Sequence, residues 1–399
     1  MIPRFRPSIT AGDLRTFFTP GSDELSLLEI HFAKLYGYHR AVWFPYARVA
    51  VQCFLEGTGV RHRQVALSPF NCSAIGHAVV RSGAVPLYVD TETKGFNQNL
   101  EQFESALRED SVATGILVSL WGIPAGCDGS RFRFSKPILH DYALRGLDFA
   151  RPHLGDGDGA VYSLGWGKPV SGLRGGMLCS DDVEQADKWR SWRASFLLPP
   201  RSLADFKLAA SLYAAFLPGV FGAVAFANKN FGWGRKLSGN HSVGEDVFPF
   251  DWNRKISSPL IRLAVSQLNQ TEDLAGRRAS QIKKFVELMA PSVSSIDLPP
   301  PVPWLSHFPV RTMQKAALHR FLARSGIFSS DRLFDRLLCD YPQLAGKVFQ
   351  PLTNATILTK TTLHLPLFHQ LSDAQIEMIA TRLNQFTSKS VSWSKSYAF

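Results

Sequence analysis

Residues 138–177 read ILHDYALRGLDFARPHLGDGDGAVYSLGWGKPVSGLRGGM, and this stretch decides the fold. It opens as a short apolar strand that ends at an acid, Asp141. A second apolar strand, residues 159–164, carries Ser163 and leads through a glycine-rich turn to Lys168. Ligands bind outside the carboxyl ends of the strands in an open α/β sheet. The stretch therefore predicts such a sheet, with an acid and a lysine at its ligand-binding edge.

Asp141 and Lys168 form a pair that suits pyridoxal phosphate (PLP). A lysine amine can form a Schiff base with the cofactor aldehyde, and an acid can keep the pyridine nitrogen protonated so that the ring withdraws electrons. Glycines beside Lys168 let the backbone approach a cofactor closely. Loop lysines and strand-end aspartates are also common, so this stretch by itself leaves open that neither residue binds a cofactor.

The composition is that of a globular protein. The chain has 399 residues, of which 45% are hydrophobic and 19% charged, and this length has room for two domains. Its five cysteines are scattered and include no CxxC pair, which argues against a disulfide framework and a metal site and favours the cytoplasm. The N-terminus MIPRFRPSITAGDL has no apolar core long enough for a signal peptide.

The formal net charge of +11 favours polyanionic partners, such as a nucleotide diphosphate, an anionic membrane surface or nucleic acid. No aromatic-basic motif or zinc finger is present in the sequence, so we do not expect nucleic acid to be the partner.

Strand and helix patterns alternate along the first half of the chain. Helical spacing of apolar residues marks 22–36, 47–56, 74–82 and 100–108, and short apolar runs mark strands at 41–45, 65–68, 85–89 and 115–120. This alternation predicts a largely parallel sheet with crossover helices. The helix that begins at Ala47 offers its N-terminal amides as a seat for a phosphate, with Arg48 in the first turn. A solvated surface arginine is the alternative interpretation of Arg48.

Residues 208–227, LAASLYAAFLPGVFGAVAFA, form an apolar stretch without a charge, and basic and aromatic residues flank both sides. The stretch is long enough to span a bilayer, but a span would separate the two halves of the chain. Two short helices that dip into a membrane surface fit the flanking charges. A buried helical hairpin or a subunit interface is the alternative.

The second half of the chain predicts a smaller domain. A long helix over 261–289 leads to a strand at 304–311 and a helix at 315–325. A last helix over 373–386 begins with a capping box, and the final segment SKSVSWSKSYAF, residues 388–399, is predicted to be a flexible tail. We therefore expect a PLP-binding large domain over 1–255, with an apolar helical insertion at about 195–250. A bridging helix and a small C-terminal domain are expected over 256–399.

With these features placed, the sequence resembles the DegT/DnrJ/StrS-type sugar aminotransferases. The resemblance runs from about residue 17 to residue 386. It is densest in the segments LSPFNCSAIGHAVVRSGAVPLYVDTETKGFNQNLEQFESAL, ILVSLWGIPAGCD, ILHDYAL, GDGDGAVYSLGWGK and LHLPLFHQLSDAQ. The resemblance implies the fold-type I architecture of PLP enzymes: a large domain with a mostly parallel, seven-stranded sheet flanked by helices, and a smaller C-terminal α+β domain.

The resemblance also implies roles for residues of this chain. Lys168 matches the Schiff-base lysine, Asp141 the acid that pairs with the pyridine nitrogen, and Ser163 a serine that binds the cofactor phosphate. Further cofactor-binding positions are Ala47 and Arg48 in the phosphate cradle, Ala143 after the acid, and Asn253. Asn253 matches an asparagine that reaches the partner's phosphate across a dimer interface, so the family implies a homodimer.

Three departures from the family pattern concern the predicted site. Leu144 stands where the family has a glutamine. Arg174 stands where the family has a glutamate before the Gly-Gly pair, which reverses a charge. Ala47-Arg48 replaces Gly-Thr in the phosphate cradle, although an arginine can bind phosphate directly.

The favoured function is a PLP-dependent aminotransferase of surface-glycan or natural-product biosynthesis. It would move an amino group from an amino acid, glutamate by family analogy, to a keto-sugar or related keto acceptor, including a nucleotide-linked sugar. Two alternatives remain. One is a PLP enzyme of another reaction type acting on a lipid-linked or amine substrate, which the stretch 208–227 suggests. The other is a non-catalytic PLP-fold regulator, which the departures suggest.

Overall fold

The computed structural model describes residues 1–18, 24–126, 134–151, 154–217, 220–223, 251–289, 296–331 and 333–396. Within these residues, eight strands form one sheet in the order β1-β7-β6-β5-β4-β2-β3-β9, and β8 and β10 form a second, two-stranded sheet. The strands are β1 (Arg40–Phe44), β2 (Gln64–Leu67), β3 (Val85–Tyr88), β4 (Val112–Val118), β5 (Ile138–Asp141), β6 (Gly159–Ser163), β7 (Gly176–Ser180), β8 (Phe308–Arg311), β9 (Lys347–Val348) and β10 (Thr362–Leu365).

The large sheet is mostly parallel, as the alternation of strands and helices predicts. All of its pairings are parallel except those of β7, which runs antiparallel to β1 and to β6. The two-residue strand β9 pairs with the end of β3 and makes this an eight-stranded sheet, where the family resemblance implied seven.

Helices cover both faces of the large sheet. The helices with described bounds are α1 (Ala11–Arg15), α2 (Leu25–Tyr36), α3 (Ala47–Gly57), α4 (Ser73–Arg81), α5 (Leu100–Leu107), α6 (Val183–Ala194), α7 (Ser202–Ala215), α8 (Ser258–Asn269), α9 (Thr271–Met289), α10 (Lys315–Arg324), α11 (Thr353–Thr361) and α12 (Asp373–Ser396). Val42 and Phe44 of β1 pack with α3 and α6, whereas Ala41 and Trp43 pack with α2 and α8. Successive side chains of a strand point to opposite faces, so a sheet covered on both sides needs near-continuous apolar strands.

The C-terminal part packs α9, α10, α11 and α12 around the small β8-β10 sheet in one apolar core. The predicted capping box of α12 is present: the Gln375 amide donates to Ser372 Oγ at 3.3 Å, and the Ser372 amide donates to Gln375 Oε1 at 3.0 Å. The helix continues to Ser396, so the prediction of a flexible tail over 388–399 is wrong up to that residue, and residues 397–399 lie outside the described residues.

Two further expectations differ from the structure. The helix predicted over 261–289 is two helices, α8 and α9, which meet at Gln270. Thr271 Oγ1 donates to the carbonyls of Gln267 and Leu268, and such side-chain bonds compete with the helical pattern. The strand predicted over 304–311 begins only at Phe308.

The apolar stretch 208–227 lies partly within the described residues. Its first part belongs to α7, where Ala209 is buried and most other side chains are half-buried or exposed. Residues 218–219 and 224–227 lie outside the described residues. Among the described residues, no helix has the length and apolarity needed to cross a bilayer.

Candidate active site

The carboxyl ends of β4, β5 and β6 border one cavity of about 370 Å³. Its wall contains the last residue of each of these strands: Val118, Asp141 and Ser163. Six of the seven residues proposed from the sequence line this cavity: Lys168, Asp141, Ser163, Ala47, Arg48 and Ala143. The cavity thus lies where an open α/β sheet binds its ligands.

Asp141 ends β5 and is almost fully buried, with 3% of its surface exposed. Its Oδ1 accepts a hydrogen bond from the Ala143 amide at 3.0 Å. Burial raises the pKa of Asp141, and the Ala143 hydrogen bond and the positive charge of Lys168 act against this rise. A nearby cation, such as a protonated ring nitrogen, would therefore stabilise the charged form of Asp141.

Lys168 follows β6 in a tight turn, in which its amide donates to the Gly165 carbonyl at 3.0 Å. Removal from water lowers the pKa of the Lys168 amine. The charges of Cys72 and Asp141 raise the pKa, and the charge of Arg48 lowers it further. Within the described part of the chain the amine makes no hydrogen bond or ion pair. A lysine in this state has more neutral, nucleophilic amine at physiological pH than a solvated lysine.

The first turn of α3 also lines the cavity, through Ala47 and Arg48. Tyr46 precedes the helix in an extended conformation, and its side chain makes no capping hydrogen bond to the helix. The first amides of α3 are therefore available to an anion. A Cβ on Gly176, at the start of β7, would lie only 2.4 Å from the Cα of Ala47, so the glycine brings β7 and the first turn of α3 together.

Arg174, the charge reversal within the family motif, is buried and paired. Its Nε lies 3.1 Å from Oδ1 of Asp205 in α7, and its Nη2 donates to the Lys255 carbonyl at 2.8 Å. Asp251 lies 3.7 Å from its Nη1 and also accepts a 2.7 Å hydrogen bond from the Tyr46 hydroxyl. Two carboxylates therefore balance the arginine, and the ion pair ties α7 to the cavity wall.

Asn253 is the one proposed site residue that does not line the cavity of its own chain. It lies in the turn before α8, half-buried, and its carbonyl accepts a hydrogen bond from the Leu198 amide at 2.8 Å. The role implied for it concerns a partner subunit and stays a prediction.

Several lining residues were not anticipated from the sequence. Trp121 and Phe334 have φ angles of 62° and 61°, a conformation that is uncommon for bulky residues, and their ring centroids lie 5.0 Å apart. Arg4, Phe5 and His307 come from distant parts of the chain. No local sequence pattern indicates that these residues line the cavity. Trp166 could have been predicted, because it lies two residues before Lys168.

The cavity fits PLP in three respects. It offers a lysine amine that no described residue pairs with, a buried carboxyl group, and the N-terminus of α3, which Tyr46 does not cap, beside Arg48 and Ser163. These groups match the aldehyde, the ring nitrogen and the phosphate of the cofactor.

The fold and this site define the class of fold-type I transferases. Comparison of the sequence with protein-family models gives the narrower assignment: the DegT/DnrJ/EryC1/StrS aminotransferase family matches residues 13–384. The chain belongs to this family, and the resemblance inferred from the motifs is confirmed.

Individual relatives are distant. An uncharacterised protein of Methanocaldococcus jannaschii is 25% identical over 206 residues, which are 47% of this chain and 52% of that protein. The chain thus spans about half the length of this curated relative. The aminotransferase TlmJ of Streptoalloteichus hindustanus has a TM-score of 0.74 at 18% identity, covering 98% of this chain and 100% of TlmJ. A family member from Brucella abortus has a TM-score of 0.69 at 19% identity, covering 94% and 95% of the two chains. These structures confirm the α/β fold.

Proposed function

We propose that this protein is a PLP-dependent aminotransferase that carries an amino group from an amino acid to a keto-sugar or a related keto acceptor. The observation that carries the proposal is the joint placement of Lys168, Asp141 and Ser163 in one cavity, with a lysine amine whose pKa is lowered. Family membership supports the reaction type.

We assign a separate role to each group of residues that lines the cavity. The Lys168 amine would bond to the cofactor aldehyde and then, once displaced by the donor, accept and return a proton at its Nζ. Asp141 would hold the ring nitrogen protonated, and the α3 amides, Ser163 and Arg48 would hold the phosphate. PLP, when bound, supplies a ring that draws electrons from the carbon attached to the donor nitrogen.

The finer proposal is glutamate as donor and a nucleotide-linked keto-sugar as acceptor, in surface-glycan or natural-product biosynthesis within the cytoplasm. Two further solved neighbours support it by the names they carry. One is a Streptococcus pneumoniae sugar aminotransferase in its PMP form, and the other is DesI in the presence of its TDP-sugar product. The net charge of +11 also favours an anionic, nucleotide-linked acceptor.

The test is the absorption spectrum of the purified protein with PLP, recorded before and after addition of L-glutamate. We expect the visible band of a lysine-bound cofactor, and its replacement by the band of the amine form when glutamate is added. Lys168→Ala should abolish the first band. Lys188→Ala, at an exposed lysine of α6, is the matched control and should leave it unchanged.

A wild-type protein with no lysine-bound band would end the proposal. A stable band that ignores glutamate and other amino acids would keep the cofactor site but refute the transamination.

We also infer a homodimer in which Asn253 approaches the cofactor phosphate of the partner subunit. Its position outside the cavity of its own chain agrees with this role. Asn253→Ala should weaken PLP binding while the dimer mass, measured by light scattering, stays the same. Asn269→Ala, at an exposed asparagine that ends α8, is the control. A monomeric wild-type protein with normal cofactor affinity would contradict the inference.

A lipid-linked acceptor is a second candidate, and one contact favours it. The ring of Phe5, which lines the cavity, lies 4.9 Å from the ring of Trp166 and 5.8 Å from that of Phe216, just after α7. An apolar path thus leads from the turn of Lys168 toward the apolar stretch 208–227. Co-sedimentation with anionic liposomes that is lost in Phe216→Ser would support it, and equal recovery with and without liposomes would argue against it.

A further inference from the structure

Arg4 brings a positive charge into the cavity from the far end of the chain. Residues 1–6 lie against the C-terminal part, where the Ile2 amide donates to the Gly326 carbonyl at 2.8 Å and the Phe328 amide donates to the Ile2 carbonyl at 3.0 Å. The Arg4 carbonyl accepts from the Leu367 amide at 3.4 Å. These are main-chain bonds, so the path of the N-terminal segment does not depend on the Arg4 side chain.

The Arg4 side chain has no anionic partner within the described part of the chain. It is half-buried, and its guanidinium carbon lies 5.4 Å from the centroid of the Phe5 ring. Burial lowers its pKa, and no carboxylate opposes this effect. Buried charges in proteins are normally paired, because an unpaired charge loses its hydration without compensation. An arginine kept in this state therefore suggests a ligand that completes the pair.

The groups that act on His307, beside Arg4, are basic side chains. Burial lowers the pKa of His307 well below its usual value, and the neighbouring His364 and the charge of Arg4 add to this effect. Lys168 acts on His307 in the same direction, so His307 lies within electrostatic range of both Arg4 and Lys168. Among the described lining residues, Asp141 is the one carboxylate. Of the basic lining residues not assigned to the cofactor, Arg174 is paired with Asp205 and His307 is neutral, so Arg4 is the charge that the described cavity wall offers to a further anion.

We propose that Arg4 is a specificity-determining residue that binds an anionic oxygen group of a substrate held against Lys168. The guanidinium fork suits a carboxylate of the amino donor or a phosphate of a nucleotide-linked acceptor, and both are bound by the same bidentate hydrogen bonds. His307 lies beside it, with Nδ1 hydrogen-bonded to Ser306 Oγ at 3.0 Å, which leaves Nε2 to the cavity. The proposal rests on the proposed aminotransferase function, whose substrates carry these groups.

The experiment compares the wild type, Arg4→Lys and Arg4→Met, all saturated with PLP. Succinate serves as the carboxylate probe and uridine diphosphate as the phosphate probe, and each Kd is measured by ligand-induced thermal shift. Loss of a charged, bidentate contact should weaken the probe that Arg4 recognises by about 10- to 100-fold in Arg4→Met. Arg4→Lys keeps the charge but loses the bidentate guanidinium group, so its Kd should lie between those of the wild type and Arg4→Met. Arg15→Gln, at an exposed arginine that ends α1, is the control and should bind like the wild type.

Two internal checks separate recognition from a structural role. The lysine-bound cofactor band of Arg4→Met should match that of the wild type, because Arg4 is assigned no contact with the cofactor. Without any probe, Arg4→Met should melt at the same temperature as the wild type or higher, since it removes an unpaired, half-buried charge. A structural role would lower that melting temperature instead.

The two probes also identify the source of the anion. Weaker binding of succinate alone assigns Arg4 to the donor carboxylate, and weaker binding of uridine diphosphate alone assigns it to the acceptor phosphate. Weaker binding of both supports one shared subsite. Unchanged Kd values for both, or a wild type that binds neither, would overturn the proposal. A wild type that binds a probe through Arg4 but ignores all amino donors would instead refute the aminotransferase function.

Discussion

The buried ion pair between Arg174 and Asp205 links the cavity wall to α7, and its removal has a predictable effect on stability. Only 3% of the Arg174 side chain and 4% of the Asp205 side chain are exposed. Asp205→Leu leaves the arginine buried with Asp251 at 3.7 Å as its remaining carboxylate. Arg174→Met leaves Asp205 buried without its partner. The double variant replaces both charges by apolar groups of similar length.

Removing one partner of a buried ion pair costs about 3–5 kcal/mol of the free energy of unfolding. Because Asp251 stays nearby, we expect Asp205→Leu to lie at about 3 kcal/mol, which is roughly a hundredfold in the unfolding equilibrium. This corresponds to a melting temperature lower by about 6–12 °C for a domain of about 150–250 residues. The double variant should come within about 1 kcal/mol of the wild type or exceed it, since apolar replacement of a buried pair is often neutral or stabilising.

The assay is thermal unfolding followed by tryptophan fluorescence, without cofactor and at one fixed protein concentration, because ligands and oligomerisation shift the apparent stability. Glu104→Gln, which breaks the exposed pair of Glu104 with Arg108 in α5, is the control and should cost less than about 0.5 kcal/mol. The reasoning is refuted if Asp205→Leu melts like this control, or if the double variant is as unstable as the two single variants combined.

Three further predictions concern the cradle, the lysine and the pH dependence of stability. Gly176→Ala should weaken PLP binding by about tenfold in a fluorescence titration, because the new methyl group would displace Ala47 and the first turn of α3 at a cost of about 1–3 kcal/mol. The rate at which Lys168 bonds to PLP, measured by stopped-flow absorbance, should rise with pH and level off below the usual lysine pKa of 10.5. Arg48→Gln should shift that levelling-off to higher pH, because the charge of Arg48 lowers the pKa of Lys168. A plateau that ignores the Arg48 charge would contradict this. Burial lowers the pKa of His364 to about 3, so the folded state excludes a proton that the unfolded state binds below about 6.5. The melting temperature of the wild type should therefore fall as the pH drops from 7 to 5, and that of His364→Phe should fall less. An equal fall in the wild type and His364→Phe would contradict this role of His364.

Most of the large sheet was predictable because its signal is local. The runs at 41–45, 65–68 and 85–89 are apolar and bounded by turn residues, and the observed strands begin and end within one residue of these limits. A sheet buried on both faces needs such continuous runs, so little tertiary information is required to find them.

The errors occur where distant residues decide the local structure. Residues 304–307 look like the start of a strand, but the Ser306 amide donates to the Trp121 carbonyl, and Trp304 Nε1 donates to the Gly122 carbonyl. These hydrogen bonds go to the 120–122 turn and not to a neighbouring strand, so the strand begins only at Phe308. The two-residue strand Lys347–Val348 exists only because the end of β3 lies beside it.

The stretch 138–177 also combines predictable and unpredictable features. The spacing of Asp141, Ser163 and Lys168 placed them at strand ends, and the parallel register of β4, β5 and β6 then brings those ends to one edge. The partner of Arg174 was not predictable, because Asp205 lies 31 residues away in the apolar insertion. From the sequence, Arg174 could be identified only as an arginine at a position where the family has a glutamate.

The sequence by itself determined the α/β architecture and the placement of Asp141, Ser163 and Lys168, because apolar periodicity and strand-end chemistry are properties of short segments. The resemblance of its motifs to the family supplied the other residues of the cavity that were named in advance. The tertiary structure decided what those residues face. It carries Arg4 into the cavity through main-chain bonds to the C-terminal part, and it neutralises Arg174 with Asp205 and Asp251. Charge pairing depends on distance in space, and spacing along the chain does not encode that distance.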